Sequence, residues 1–368
     1  MKVALVYDRV NKWGGAERVL LALHKIFPTA PIFTSVYESR RAQWASKFIV
    51  KTSFLQRIPF ARKSHEYLAT FMPVAFESMT FDGYDVVISV TSEAAKGIMT
   101  KPETLHISIC LTPTRYLWSG YKDYFKSDIL KTVAAPAVKY LRQWDLFASQ
   151  KADFIVAISK TVQDRVKRYY GRESALIYPP LQLSSTSFKN TKSHGYFLVV
   201  SRFVSYKRIE IAVEAVSKLK LPLKIVGSGS QEKKLKAMAG STVEFLGHVS
   251  DKDLINYYKH CKALIFPGLE DFGFTMVEAQ SFGKPVVAFR GGGAEEIVIE
   301  GKTGEFFDEQ TSESLVKTLK RFNKKRYNKD DCIENSMRFS FKNFKSELLS
   351  FLRSAMLEFK SDKEIIYQ

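Results

Sequence analysis

The chain has 368 residues, with 56 Lys and Arg against 38 Asp and Glu, for a formal net charge of +18. An apolar fraction of 45% with 13% aromatics excludes a disordered chain, and the length fits two domains, each able to bury its own core. No apolar run approaches the ~20 residues of a membrane-spanning helix.

The opening Met1-Lys2-Val3-Ala4-Leu5-Val6-Tyr7-Asp8 reaches an acid too soon for a signal peptide. Val3–Tyr7 reads instead as the first strand, and a helical pattern follows over Ala16–Ile26. Further strands are predicted at Ile32–Tyr37, Asp85–Val90, Leu105–Cys110, Phe154–Ile158 and Ala175–Tyr178, with a helix at Lys160–Tyr170. Pro179 to Gly195 is polar, Pro-led and Gly-ended, the composition of a linker. The rhythm then restarts. Strands are predicted at Tyr196–Ser201, Leu223–Val226, Val243–Leu246, Ala263–Phe266, Pro285–Phe289 and Gly304–Phe307, and helices at Ile209–Leu219, Gln231–Ala239, Asp251–His260 and Thr275–Phe282. Phe344–Phe359 carries a last helical pattern.

Alternating α and β elements with continuous apolar strands predict parallel sheets covered on both faces. The expected organisation is a Rossmann-like domain over residues 1–183 and a second over 184–343, with 344–368 packing back on the first. In such sheets ligands bind beyond the carboxyl ends of the strands.

The first strand runs through Asn11-Lys12-Trp13-Gly14-Gly15 into a helix. Two glycines at that turn let backbone approach a ligand, and the helix start offers N–H groups to a phosphate. The turn is not GxGxxG, and a tight reversal with no ligand explains it equally. Ser201-Arg202-Phe203-Val204-Ser205-Tyr206-Lys207 follows a strand in the second half, where a guanidinium and an ammonium suit a leaving diphosphate. Gly227-Ser228-Gly229 is another strand-to-helix turn. Most specific is Glu270-Asp271-Phe272-Gly273-Phe274-Thr275-Met276-Val277-Glu278, two carboxylates eight apart around a Gly turn. Its carboxylates can accept bonds from sugar hydroxyls while its amides hold phosphate. Glu278 sits among Met276, Val277 and Ala279, so a buried acid in need of a partner is expected there.

Together these motifs resemble the family 4 retaining glycosyltransferases of the GT-B fold, whose two Rossmann-like domains face each other across a cleft. Glu270 and Glu278 match the family's paired glutamates, Arg202 and Lys207 its cation pair, and Gly14-Gly15 its glycine loop. Gly283-Lys284-Pro285, Gly291-Gly292-Gly293-Ala294-Glu295-Glu296 and Gly301-Lys302-Thr303-Gly304 follow its pattern, so the resemblance covers nearly the whole chain. Gly14-Gly15-Ala16-Glu17-Arg18-Val19, Thr52-Ser53-Phe54-Leu55-Gln56 and Thr112-Pro113-Thr114-Arg115-Tyr116-Leu117-Trp118 are similar to a bacterial mannosyltransferase-like subgroup of O-antigen and exopolysaccharide assembly.

The resemblance implies that Arg202 and Lys207 bind the donor diphosphate, Glu270 the donor sugar and Glu278 the ribose. Gly14, Gly15, Gly227 and the Phe272, Gly273, Phe274 and Thr275 turn would line the donor, and Thr112, Arg115 and Tyr116 the acceptor. It implies GDP-mannose as donor, a lipid-diphosphate-linked saccharide as acceptor, and retention by front-face attack with the leaving phosphate as base. The subgroup usually reads His-Thr-Pro where this chain has Leu111-Thr112-Pro113, so Leu111 offers no side-chain hydrogen bond to the transferred sugar. His106 falls inside a predicted strand and reads as structural.

No cofactor is expected. Asp251-Lys252-Asp253 opens a predicted helix and reads as an acidic first turn rather than a metal site, and two cations already neutralise a diphosphate. Three scattered cysteines, Cys110, Cys261 and Cys332, predict neither a disulfide framework nor a zinc site, which suits a reducing cytoplasm.

The charge surplus predicts a polyanionic partner. Residues 1–180 hold 26 basic and 15 acidic residues, against 30 and 23 in 181–368. Basic stretches interleaved with aromatics lie at Lys47–Tyr67 (Lys51, Phe54, Arg57, Phe60, Arg62, Lys63) and Tyr121–Arg142 (Lys122, Tyr124, Phe125, Lys126, Lys131, Lys139, Arg142). They predict peripheral attachment to anionic lipid on the inner face of the cytoplasmic membrane, with solvated helix faces as the competing reading. No nucleic-acid-binding signature accompanies the charge. A nucleotide-sugar epimerase of the same fold and a catalytically weakened partner subunit remain as alternatives, and oligomeric state is open.

Overall fold

A computed structural model describes residues 1–62, 65–125, 127–181 and 193–366. The chain forms two compact units, Met1–Pro180 with Phe341–Gln368 and Leu181–Ser340. These divisions fall three residues before the expected 183/184 and 343/344. Residues 182–192 of the expected linker, and Lys63 and Lys126 of the basic stretches, lie outside the described residues.

The first unit holds a seven-stranded sheet in the order β3-β2-β1-β4-β5-β6-β7, every pairing parallel. Its strands are β1 (Val3–Tyr7), β2 (Ile32–Thr34), β3 (Val50–Thr52), β4 (Val86–Thr91), β5 (Leu105–Cys110), β6 (Phe154–Ala157) and β7 (Ala175–Leu176). Every residue of β1, β4 and β5 is buried, as strands covered on both faces require. Val3 lies opposite Val86 and Tyr7 opposite Val90. Helices α1 (Gly15–Ile26), α2 (Met72–Glu77), α3 (Tyr121–Tyr124), α4 (Asp128–Ser149) and α5 (Lys160–Tyr170) belong to this unit. So does the C-terminal helix, where Phe344, Leu348, Leu352 and Ala355 are buried at helical spacing and the Phe351 ring meets Phe154 edge-on.

The second unit holds β8 (Phe197–Val200), β9 (Leu223–Val226), β10 (Val243–Gly247), β11 (Ala263–Phe266), β12 (Val286–Phe289) and β13 (Gly304–Phe307). They form a parallel sheet in the order β10-β9-β8-β11-β12-β13. Its helices are α6 (Ile209–Lys218), α7 (Glu232–Met238), α8 (Asp251–His260), α9 (Phe274–Ser281), α10 (Ala294–Ile297), α11 (Ser312–Phe322) and α12 (Lys329–Met337), and α13 (Phe341–Ile366) returns to the first unit. Asp251 and Asp253 stand in the first turn of α8, where Ser250 Oγ accepts from the Asp253 amide at 3.2 Å.

Both sheets are doubly wound, with the first strand beside the fourth. The order therefore reverses between β1 and β4 and again between β8 and β11, the points where such sheets open a crevice beyond their strand ends.

Strand β3 and helices α2, α3, α4, α10, α11 and α12 are additions to the predicted series, and β2 and β7 end earlier than predicted; two of the additions show why. The edge strand β3 reads Val-Lys-Thr with Lys51 and Thr52 exposed, so it carries no continuous apolar run. Helix α4 contains Pro136, and its described pattern mixes exposed apolar residues with a narrow buried face, which the helical period alone does not single out.

Candidate functional site

In the second unit the switch point lies between the ends of β8 and β11. The chain leaves β8 through Ser201-Arg202-Phe203-Val204, makes a short turn over Ser205–Lys207 and enters α6 at Ile209, with Arg208 in the left-handed region at φ 54°. Leaving β11, it passes Pro267-Gly268-Leu269 to Glu270. Here the Lys207 ammonium and the Glu270 carboxylate form an ion pair, both side chains largely but not wholly buried. The ammonium also lies 5.1 Å from the centre of the Tyr206 ring, and Arg202 Nη2 donates to the Tyr206 hydroxyl at 2.8 Å. Arg202 itself is exposed. The two cations singled out in the sequence thus share Tyr206, and one of them is held by the first of the paired glutamates. A guanidinium and an ammonium so placed can meet a dianionic group.

Glycines hold this arrangement by letting backbones touch. Gly227 and Gly229 have φ of 134° and 156°, and a Cβ on either would strike the backbone of Ser201 or Phe203. The Phe203 amide donates to the Ser228 carbonyl at 2.9 Å and the Gln231 amide to the Phe203 carbonyl at 3.0 Å. Gly227 therefore acts here by seating the Arg202 loop. The Gly291-Gly292-Gly293 loop does the same for Glu270. Gly293 donates its amide to the Glu270 carbonyl at 2.9 Å, and a Cβ on Gly292 or Gly293 would fall on the carbonyl of Glu270 or Phe272.

Gly273, at φ 103°, turns the chain into α9, so Phe274 and Thr275 form its first turn, where helix amides favour an anion. Glu278, one turn further on, is fully buried, and the Tyr258 hydroxyl donates to its Oε2 at 2.7 Å. The partner demanded by a buried acid is thus a tyrosine from α8. Glu278 is an interior carboxylate in this structure.

In the first unit Asp8 follows β1 at the other switch point. It is buried and accepts from Thr91 Oγ1 and from the amides of Ser92 and Ala95, each at 2.8 Å. Burial, with Glu93 nearby, pushes its carboxyl above the usual range. Gly14 precedes α1 in extended backbone, and Gly15 is the helix's first residue. A Cβ on Gly14 would lie 3.2 Å from Glu17 Oε2. Glu17 is buried and accepts from the Tyr7 hydroxyl at 2.6 Å, pinning the end of β1 to the start of α1. Burial raises its pKa as well.

Beyond β5, Leu111 donates its amide to the Thr91 carbonyl at 2.8 Å. Thr112 is buried, with Arg165 Nη1 at 3.4 Å from its hydroxyl. The Arg115 carbonyl accepts from the Gly120 amide at 2.8 Å, and the half-buried Tyr116 meets the Tyr124 ring at 6.1 Å. The loop's anchor is a residue that sequence reasoning missed. Asp145 of α4 is buried and accepts from Thr114 Oγ1 at 2.7 Å, Trp118 Nε1 at 2.7 Å and the Tyr170 hydroxyl at 2.8 Å, and it pairs with the Lys96 ammonium at 2.5 Å. Its signal was an acid at a core-facing position, in step with Val138, Leu141 and Ala148. His106 is buried in β5 with Nε2 2.9 Å from Ser89 Oγ.

The three cysteines are buried and none is in a disulfide, and burial pushes the thiols of Cys261 and Cys332 up to about 12. Among the described residues no helix is long and apolar enough to cross a membrane.

Residues 184–339 match a family model described as glycosyl transferases group 1. An uncharacterized glycosyltransferase of Methanocaldococcus jannaschii is 28% identical over 178 residues, 47% of this chain and 50% of the relative. The O-antigen chain mannosyltransferase C of Escherichia coli is 28% identical over 140 residues, 36% of this chain and 38% of the relative. The chain thus spans half or less of the length of these curated relatives. Among solved structures, HepE of Anabaena in complex with UDP superposes with a TM-score of 0.71 at 18% identity, covering 96% of this chain and 100% of that one. This likeness shows the fold, the two-unit GT-B architecture.

Proposed function

We propose that the protein is a retaining glycosyltransferase that moves a hexose from a nucleotide-diphosphate sugar to a hydroxyl of a lipid-linked saccharide in bacterial surface polysaccharide assembly. The observation that carries this reading is the cluster of Arg202, Tyr206, Lys207 and Glu270 at the β8/β11 switch point, within the segment that matches glycosyl transferases group 1. HepE, of the same fold, was crystallised with UDP, which favours a nucleotide-sugar donor here. Mannose from GDP-mannose is the donor we favour, on the subgroup motifs and the similarity to an O-antigen mannosyltransferase.

In this mechanism Arg202 and Lys207 neutralise charge developing on the leaving diphosphate, so no metal is required. Glu270 accepts hydroxyls of the donor sugar as Lys207 turns to phosphate. The first-turn amides of α9 face the diphosphate. Glu278, held at Oε2 by the Tyr258 hydroxyl, would accept the ribose. Thr112, Arg115 and Tyr116 serve the acceptor, on the first unit. The leaving phosphate takes the acceptor proton and attack occurs on the face it vacates, with retention. The setting is the cytoplasm, with peripheral attachment to an anionic membrane.

The test is product analysis after incubation with GDP-mannose and UDP- and dTDP-sugars, each with lipid-linked or synthetic acceptor analogues. The expected result is a glycosylated acceptor and free nucleoside diphosphate. A sugar nucleotide isomerised without an acceptor marks an epimerase. Nucleotide binding without turnover marks a weakened partner subunit, the reading that Leu111 favours.

A further inference from the structure

Helix α4 spans 22 residues, about 33 Å at 1.5 Å per residue, yet its first ten residues contain no buried side chain. A helix that packs so little is marginal in water, more so with Pro136 inside it. Alongside the polar Asp128, Thr132, Lys139 and Gln143, its exposed residues include large apolar ones that such a position does not call for. Ile129, Val133, Tyr140 and Phe147 are 80%, 74%, 46% and 65% exposed. Spaced by four, seven and seven, they fall on one narrow face at 100° per residue, with Pro136 in the same stripe. Val138, Leu141, Asp145 and Ala148 are buried on the other side. Among the described residues, seven exposed large apolar side chains lie between Tyr124 and Phe147, whereas the second unit exposes Leu269, Ile299 and Met337.

A segment tied to α4 exposes further apolar side chains. Glu77, the last residue of α2, accepts from Trp144 Nε1 of α4 at 2.9 Å and pairs with Lys151 at 2.6 Å. The segment it ends exposes Phe71 and Val74, each by 53%. Basic groups flank the stripe. Lys139 is exposed beside it, and Lys122 is exposed just before the helix. An apolar face bordered by cations on a positively charged protein is the pattern of a helix lying in the plane of an anionic bilayer, with its side chains among the upper acyl groups.

We propose that the Ile129–Phe147 face of α4 is the surface that docks this protein on anionic lipid, by insertion of apolar side chains rather than by the basic residues alone. The partner is the bilayer itself. The proposal deepens the membrane attachment in the function proposed above and rests on that part of the reading. It also gives the location a purpose. The opposite face of the same helix carries Asp145, which holds Thr114 and Trp118 of the proposed acceptor loop. A docked α4 fixes that loop relative to the lipid surface that bears a lipid-linked acceptor.

The experiment is sedimentation with vesicles of phosphatidylglycerol and phosphatidylethanolamine, and of phosphatidylcholine alone, at low and high salt. It uses the full chain, an Ile129→Glu/Val133→Glu/Phe147→Glu variant, and Ala135→Glu as an exposed control off the stripe. The expected result is binding to the anionic vesicles that falls at least about tenfold in the triple variant, is unchanged in the control, and persists in part at high salt. Val133→Trp should bind more tightly. Circular dichroism and nucleotide binding establish that the triple variant is folded. Equal binding by the triple variant and the parent overturns the proposal and leaves attachment to the basic residues. Absence of parent binding overturns it too, and a dimer that the triple variant dissolves makes the stripe a subunit interface. Sugar transfer to a water-soluble acceptor is measured alongside. Its absence overturns the transferase reading and leaves the docking result intact, because transfer without lipid does not need the stripe.

Discussion

Lys207 and Glu270 arrive at the β8/β11 switch point from different strands and pair with each other. The pairing makes Glu270 a competitor for the ammonium that the proposed diphosphate needs. Glu270→Gln removes the competing charge while keeping a hydrogen-bonding side chain. It is expected to tighten binding of GDP or UDP several-fold in calorimetric titration and to lower sugar transfer about 10²-fold, as the proposed sugar contact is lost. Unchanged nucleotide affinity would mean that the ion pair does not hold Lys207 back.

Arg202 and Lys207 are asked to stabilise charge that appears on the leaving group, an interaction stronger in the transition state than in the ground state. Arg202→Ala and Lys207→Ala are each expected to reduce kcat by at least about 10²-fold, with a smaller change in KM. Arg202 bonds to Tyr206 across an exposed surface, so its loss should leave the melting temperature almost unchanged. Steady-state kinetics on both variants decides the assignment, and near-normal kcat in both sinks it.

Gly293 tests whether the backbone seat of Glu270 matters. A Cβ there collides with the Phe272 carbonyl, so Gly293→Ala must displace either the glycine loop or the Glu270–Phe272 turn. The expected cost is about 1–3 kcal/mol of stability in denaturant unfolding, with a loss of transfer beyond what the unfolded fraction explains. Gly301→Ala is the comparison. Gly301 has φ 76° but nothing within 4 Å of the added Cβ, so it pays only backbone strain.

The sheets were legible because their strands are short runs rich in apolar and β-branched residues, some interrupted by polar ones. Leu105–Cys110, Leu223–Val226, Ala263–Phe266 and Gly304–Phe307 have the predicted bounds to the residue. So were the residues at strand ends, because a cation or carboxylate directly after such a run has few structural excuses. What the sequence concealed was long-range polar pairing. Nothing near Asp145 in the chain announces Lys96, Thr114 or Tyr170, which reach it from three other elements. Glu17 belongs to the Gly14–Val19 motif, but its bond to Tyr7 depends on how α1 leans on β1. The close approach of backbone at Gly227, where a Cβ would strike the Ser201 carbonyl, appears only when β8 and β9 are paired.

The Asp145 network yields a stability prediction. Both partners of the Lys96–Asp145 pair are buried, and removing one charge strands the other in the interior. Asp145→Asn is expected to destabilise the first unit by about 3–5 kcal/mol, whereas Asp145→Asn with Lys96→Met should recover a large part of that loss. Urea unfolding of the two single variants and the double variant measures the coupling. Simple additivity would show that the pair is not the source of the cost.

His106 gives the protein a defined acid sensitivity. Burial in β5 depresses its folded pKa to about 3, while an unfolded histidine titrates near ~6.5. Below pH 6.5 the unfolded chain therefore binds a proton that the folded chain refuses. The stability fully present above pH 6.5 is lost as pH falls through the window down to about 3, at up to ~1.4 kcal/mol per pH unit. Unfolding free energy measured between pH 7 and pH 4 should carry this one-proton slope on top of the carboxylate contributions. His106→Gln, which keeps a partner for Ser89 and cannot take up the proton, should remove the slope while costing stability at neutral pH. An identical pH dependence in the parent and His106→Gln would mean that the histidine titrates alike in both states, and the buried neutral imidazole would have to be abandoned.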